Sequence, residues 1–441
     1  MTIHAAVIGG GISGLASAAR IAGLGHRVTL FESESFLGGL GTTFPYQGGH
    51  LERFYHCILP ADAALLRHIA ELGLAEDLLW RETRMGFMYR RRIHPLNTPW
   101  DLLRFSPLTL TERVRMGLIG LRARTGGMDP ALDSITAADW LRRMAGERVF
   151  EILWRPLLAA KIGEPYASLP ALWLSSRMHR EKSTGPERKG CLRHGYRSLI
   201  DAFERRLTQH GTQLRLATRI ESVERDGDGM ALEVAGGERE RFDYIVATSP
   251  LGAFQRMTHG LGLDPAIANL TLDYQGVVSA VFLTRRPTTP YYWMPFVDSG
   301  VTAQGAIAMS NLVPLERAHG LHVTYLVNYT HRDSELFGTG QDELLARYRA
   351  DLLELFPEAA RTIEGQFLFR APFVEPVWTL NYAARRPPAA VIPGRLYLAC
   401  TAQVYPRVNS WNSCCEGVDA MMPQLAAETA AAHAARRSVC A

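Results

Sequence analysis

Lysine is nearly absent from this 441-residue chain. Only Lys161, Lys182 and Lys189 occur, and arginine carries the rest of the positive charge. The net charge of +4 is too small to mark a nucleic-acid partner. Cysteine is scarce as well. Cys57, Cys191, Cys400, Cys414, Cys415 and Cys440 match no zinc or redox spacing. Reduced thiols in a cytoplasmic protein are therefore expected, with no metal site. No apolar run reaches the ~18 residues of a membrane span, which leaves peripheral membrane contact open. The opening MTIHAAVIGG is taken up by a strand, so no signal peptide is expected. Internal repeats, low-complexity tracts, a Walker loop and a nucleophile elbow are also missing. The composition, 47% apolar and 21% charged, is ordinary for a globular protein. The length suggests two domains, which could interleave.

What is present starts at Val7. Residues 7–33, VIGGGISGLASAARIAGLGHRVTLFES, read as strand, glycine turn, helix and second strand. Gly9, Gly11 and Gly14 form G-x-G-x-x-G. The first permits a tight turn, the second lets a pyrophosphate approach the backbone, and the third lets the helix pack on the strand. Amides at the helix start, at Ile12 and Ser13, then face the phosphates. Glu32 falls 18 residues after Gly14, where a strand-end carboxylate, with Ser33 beside it, can bind ribose hydroxyls. Glycines that serve only backbone packing are the alternative. The GTGQ at Gly338 lacks a flanking strand and helix, so a second nucleotide domain for NAD(P)H is not expected.

Gly38 and Gly39, followed by Leu40, lie just past the acid. With this doublet the sequence resembles the FAD-binding flavoprotein superfamily of amine oxidases, protoporphyrinogen oxidases, phytoene desaturases and UDP-galactopyranose mutases. LERFYH, PLNTPWDLLRF, WRPLLAAKIGE and GYRSLIDAF are most similar to its protoporphyrinogen-oxidase-like and UDP-galactopyranose-mutase-like branch. The resemblance implies non-covalent FAD, its pyrophosphate enclosed by the acid and the Gly-Gly loop. Many members have arginine where Leu40 stands. The resemblance also implies backbone contact to adenine near Val223 and a strand closing beside the cofactor at Thr248. The family's ribityl-binding aspartate is replaced here by the Cys400–Thr401 pair, leaving Thr401 and Gln403 as candidates. Asn409, Asn412 and Gly417 would lie between the last strand and last helix, where amides face the flavin pyrimidine. Cys400, Cys414 and Cys415 are candidates for a covalent link, but no attachment motif surrounds them. Many amine oxidases use a lysine in the later half, and this chain has none after Lys189. That argues against simple monoamine-oxidase chemistry.

The expected fold is α/β, a Rossmann-like FAD-binding domain with an interleaved α+β substrate domain. The first would take residues 1–60, 191–254 and 376–441, and the second a helical insert at 61–190 and strands plus a helix at 255–375. His56, in ERFYHCI, would pass the flavin ring. It could act as acid or base, line the pocket with Tyr55 and Phe54, or be a buried structural histidine. His94 reads as loop structure. Residues 175–197 gather Arg177, Arg180, Lys182, Arg188, Lys189, Arg193 and Arg197 against Glu181 and Glu187. Glycine and proline suggest a mobile loop there. As a lid it would hold phosphate or carboxylate through Arg177 and Arg180. As a solvated loop it would hold nothing.

These observations imply an FAD-dependent oxidoreductase, either an oxidase or dehydrogenase or a desaturase. It would move a hydride from a C–N or C–C bond of a small, biosynthetic molecule to flavin N5, with oxygen or another acceptor reoxidising the flavin. Two alternatives remain: a non-redox isomerase resembling UDP-galactopyranose mutase, and a flavin-binding partner protein without catalysis.

Overall fold

The computed structural model describes residues 2–125, 128–180 and 187–439. In β1 (His4–Ile8) every residue from Ala5 to Ile8 is buried, the unbroken apolar pattern of a strand covered on both faces. α1 (Ile12–Gly23) follows, and β2 (Arg27–Phe31) runs parallel to β1. Both belong to a six-stranded sheet of spatial order Ala390–Ile392, Leu396–Leu398, Tyr244–Ala247, β1, β2, Gln213–Arg215. Only its edge, Ala390–Ile392, is antiparallel. The glycine turn therefore opens at the carboxyl ends of central parallel strands, where such sheets bind ligands.

Between these strands the chain forms the expected helices. They include α2 (Ala63–Glu71), α3 (Pro99–Leu103), α4 (Leu110–Thr125), α5 (Arg155–Ile162) and α6 (Ala171–Arg180). α3 starts with a capping box. The Thr98 hydroxyl accepts from Asp101 N and the Asp101 carboxylate accepts from Thr98 N, with Pro99 in the first turn. Ahead of α5 the backbone passes through a π turn at Phe150–Trp154, next to Pro156, whose missing N–H interrupts the helical ladder.

The basic stretch at 175–197 is not one mobile loop, which corrects the sequence expectation. Residues 175–180 complete α6. Glu187–Leu192 is a strand paired antiparallel with Leu78–Thr83, and α7 (Tyr196–Gln209) begins soon after. Ladder hydrogen bonds fix Arg188 and Lys189 there. Glu181 and Lys182 lie outside the described residues.

β3 (Ile220–Asp226) is the edge of a three-stranded antiparallel meander with Gly229–Val234 and Arg239–Phe242. A second large sheet has seven strands. Its long members are β4 (Asp273–Thr284), β5 (His322–His331) and β6 (Ile363–Val377), with β4 antiparallel to both neighbours. The last helix, α8 (Trp411–Val439), packs Cys415, Val418 and Met421 with Leu15 of α1 and Leu65 of α2. Asn412 and Gly417 thus lie inside α8 rather than before it. The fold is the expected mixed α/β arrangement.

Candidate functional site

The three glycines of the turn meet different surroundings. Gly9 has a φ of +106°, and a Cβ there would fall 2.6 Å from Thr248 Oγ1. A Cβ on Gly14 would lie 1.8 Å from Gly9 O. The fold itself requires these two. Gly11 differs, because its Cβ would meet nothing closer than Gly39 Cα at 3.8 Å. A gap between two backbone segments lies there. Gly11 is also the N-cap of α1, with no side-chain cap and no acid in the first turn. The amides from Ile12 onward are left to an external anion.

The Gly38–Gly39 loop forms the opposite wall. Gly38 N donates to Gly10 O at 2.9 Å. Leu40, in the short turn Gly39–Gly41, is half-buried and brings no charge. Glu32 ties β2 to the glycine turn. Its Oε2 accepts from Gly10 N at 2.6 Å, and its Oε1 accepts from Glu34 N at 2.9 Å and Ser33 Oγ at 3.1 Å. One lone pair, on Oε2, remains for a ribose hydroxyl. Beside Gly9, Ser249 Oγ is buried without a partner, an orphan that a bound group would satisfy. The gap, the uncapped amides and this orphan fit a dinucleotide pyrophosphate. Val223 is buried in β3, an edge strand whose alternate residues turn N–H and C=O away from the neighbouring strand.

Other expected contacts have their side chains engaged elsewhere. Thr248 Oγ1 donates to Ile8 O at 2.9 Å. Gln403 Nε2 donates to Pro388 O at 3.1 Å, and its Oε1 accepts from Cys400 N at 2.9 Å. Asn412 Oδ1 accepts from Ala64 N and Leu65 N at 3.0 and 3.1 Å, capping α2. Thr401 Oγ1 lies 2.9 Å from Tyr274 OH. Three of these side chains are thus paired with backbone groups, and Thr401 with a tyrosine hydroxyl.

Ser13 lies beside Cys414 in the first turn of α8, so the cradle abuts that helix. Beyond the contact, the His56 ring lies 5.8 Å from the Trp411 ring in the same turn of α8. Tyr55, His56, Cys57 and Tyr329 form a largely buried polar cluster there. Buried Glu52 fixes the segment that carries three of them. Its carboxylate accepts from Arg317 Nη2 at 2.7 and 2.8 Å and from Tyr196 N at 3.1 Å.

His56 Nδ1 lies 2.9 Å from Phe54 O. A carbonyl only accepts, so Nδ1 carries the hydrogen and Nε2 is an acceptor in the neutral ring. Burial lowers the His56 pKa and keeps the ring neutral near pH 7. Tyr55 OH and Tyr329 OH are 2.8 Å apart. Burial pushes Tyr329 up to about 12 and Tyr55 well above its usual value, so both are neutral phenols.

Lys161 of α5 completes the cluster. Its Nζ is 3.0 Å from Glu375 Oε2 on β6 and 4.0 Å from the Tyr329 ring centroid. Arg177 of α6 acts electrostatically on both tyrosines. Arg180 instead pairs with buried Asp62 at 2.7 Å. The sequence reading missed Lys161 and Glu375. The available signal was the rarity of lysine in a chain that otherwise uses arginine.

Burial raises the Cys414 thiol to about 11 and the Cys400 thiol to about 12. Among the described residues no group of three His, Cys, Asp or Glu could hold a metal, and no helix is long and apolar enough to cross a membrane.

Residues 12–403 match the model of the flavin containing amine oxidoreductases. The chain belongs to that family. Coproporphyrinogen III oxidase of Bacillus subtilis (strain 168) is 25% identical over 317 residues, 64% of this chain and 66% of that relative. The chain thus spans just under two thirds of that protein's length. A candidate protoporphyrinogen oxidase from Exiguobacterium sp. 255-15 has a TM-score of 0.76 at 18% identity, over 96% of this chain and 98% of that one. Reduced UDP-galactopyranose mutase has a TM-score of 0.73 at 18% identity, over 96% and 93%. At these identities the two solved structures establish the shared fold.

Proposed function

We propose that this family member is an oxidase, dehydrogenase or desaturase that binds FAD without a covalent link. It would take a hydride from the C–H of a CH–NH or CH–CH unit of a small organic molecule, the neighbouring atom losing a proton as the double bond forms. The junction of Ser13 with Cys414 carries this reading. There the glycine cradle meets the helix turn whose Trp411 packs on His56, so a ligand anchored by phosphate at Gly11 would extend its other end toward the polar cluster. Glu32 suits a ribose hydroxyl and the free edge of β3 near Val223 suits the adenine. The high thiol pKa values of Cys400 and Cys414 support non-covalent binding, since the thiolate is the attacking species. The free described cysteines suit the cytoplasm.

Bound FAD supplies the hydride acceptor. The chain's own residues orient the substrate and keep out water. His56 Nε2, an acceptor in the neutral ring, would take a substrate proton. The Tyr55 and Tyr329 hydroxyls can fix a polar group, and the nearby Arg177 suits an anionic substituent. The purified protein should be yellow, with flavin released by acid or heat. Porphyrinogens, polyenes and amines added anaerobically form the test panel, and one of them should bleach the oxidised flavin. Turnover of a sugar nucleotide only after prior reduction would favour the isomerase instead. Flavin binding with no turnover would favour a partner protein.

A further inference from the structure

α4 is amphipathic in an unusual sense, because its apolar stripe faces outward. Leu110, Val114, Leu118 and Leu121 are 50% to 64% exposed. Their spacing puts them within about 80° of arc on one helix face. Ile119 occupies the opposite face and is buried with Phe87, Phe105, Leu108 and Val149. The helix is therefore held by its other side, and the leucine row is not a core that failed to close. The neighbouring α3 adds Trp100, 71% exposed, and Leu103, 37% exposed. Arg113 Nη1 donates to Leu103 O at 2.6 Å and locks α3 to α4. Single exposed apolar side chains are ordinary on a protein surface, but a contiguous row with a tryptophan is not.

The charge around this row decides its partner. Between residues 92 and 121 stand Arg92, Arg104, Arg113 and Arg115 against Asp101 and Glu112. Both carboxylates are already engaged, Asp101 in the α3 capping box and Glu112 with Arg148. Arg113 and Arg115 donate to carbonyl oxygens at Leu103, Leu108 and Ala145, which leaves their positive charge uncancelled. Two copies of this face brought together would oppose arginine to arginine. An anionic lipid surface meets both needs, with headgroups for the arginines and acyl chains for the leucine row and Trp100.

We propose that α3 and α4 form a docking face by which the folded protein lies on anionic membranes. Cosedimentation of the flavin-loaded full chain with phosphatidylcholine vesicles, with and without phosphatidylglycerol, tests this. Wild type should pellet with the anionic vesicles, less so at high salt. Leu110→Glu/Leu118→Glu should bind at least about tenfold more weakly. Arg104→Ala/Arg115→Ala should lose mainly the preference for phosphatidylglycerol. Flavin content and Tm report whether each variant folds, and Trp100→Ser, at a site with little packing, gives an independent loss of binding. Wild type that stays in the supernatant at low salt would overturn the proposal, as would variants that pellet like wild type. A lipid-free dimer that Leu110→Glu/Leu118→Glu converts to monomer would overturn it too, and assign the face to a second copy.

Discussion

The cradle and the polar cluster are built from different materials. The cradle is backbone, formed between residues 9 and 41 by two glycine segments and one carboxylate. The polar cluster is side chains brought together from far apart: Tyr55, Lys161, Arg177, Tyr329 and Glu375. Geometry alone holds a phosphate, so glycine positions reveal the cofactor class. A substrate is selected by a few polar groups whose neighbours only the fold decides. The cradle should therefore fail all at once when a glycine is filled, and the cluster should fail in graded steps.

The largest effect should come from Gly14→Ala. Its Cβ would sit 1.8 Å from Gly9 O, so a stability loss of about 4 kcal/mol or more is expected, with flavin lost as well. A chemical-denaturation midpoint close to wild type would show that the turn is softer than described. Next comes Glu375→Ala, which leaves the Lys161 ammonium beside Tyr329 without its carboxylate. Thermal melts should show a loss of about 3 kcal/mol, largely restored in Lys161→Met/Glu375→Leu. Flavin content should not change in either variant, and a colourless Glu375→Ala would join the two regions that this comparison separates. Tyr329→Phe removes one hydroxyl contact and should cost about 1 kcal/mol. In the presence of substrate it should raise KM more than it lowers kcat.

The smallest effect concerns pH. Burial, followed by the neighbouring Arg27, lowers His4 from its usual 6.5 to about 4, and burial also lowers His56. The unfolded chain binds more protons on these rings than the native one. Their contribution is thus complete above pH 6.5 and is lost as pH falls toward about 4. In urea titrations across that window, His4→Gln should lose less stability than wild type. Parallel pH curves for the two proteins would contradict the assignment.

The legible part of the molecule was local. Strand, glycine turn, helix and acid lie within one short stretch, so their spacing carries the geometry. The helical insert and the β-meander were readable from periodicity and turns. The basic stretch was misread because alternating pairing with residues 78–83 is a long-range fact that a run of arginines and glycines does not display. Gln403 follows the last strand as expected while Asn412 falls inside α8, and turn formation and capping claim their side chains. Lys161 and Glu375 stand more than 200 residues apart, and nothing in either neighbourhood names the other.

The claim that the open side of Gly11 receives the cofactor phosphates can be tested directly with Gly11→Val. The nearest atom to a Cβ there is 3.8 Å away, so the variant should fold with near-native circular dichroism and Tm. Flavin absorbance per chain is the measurement. A folded, colourless variant beside a yellow wild type is predicted, and a folded variant with full flavin occupancy would contradict the account.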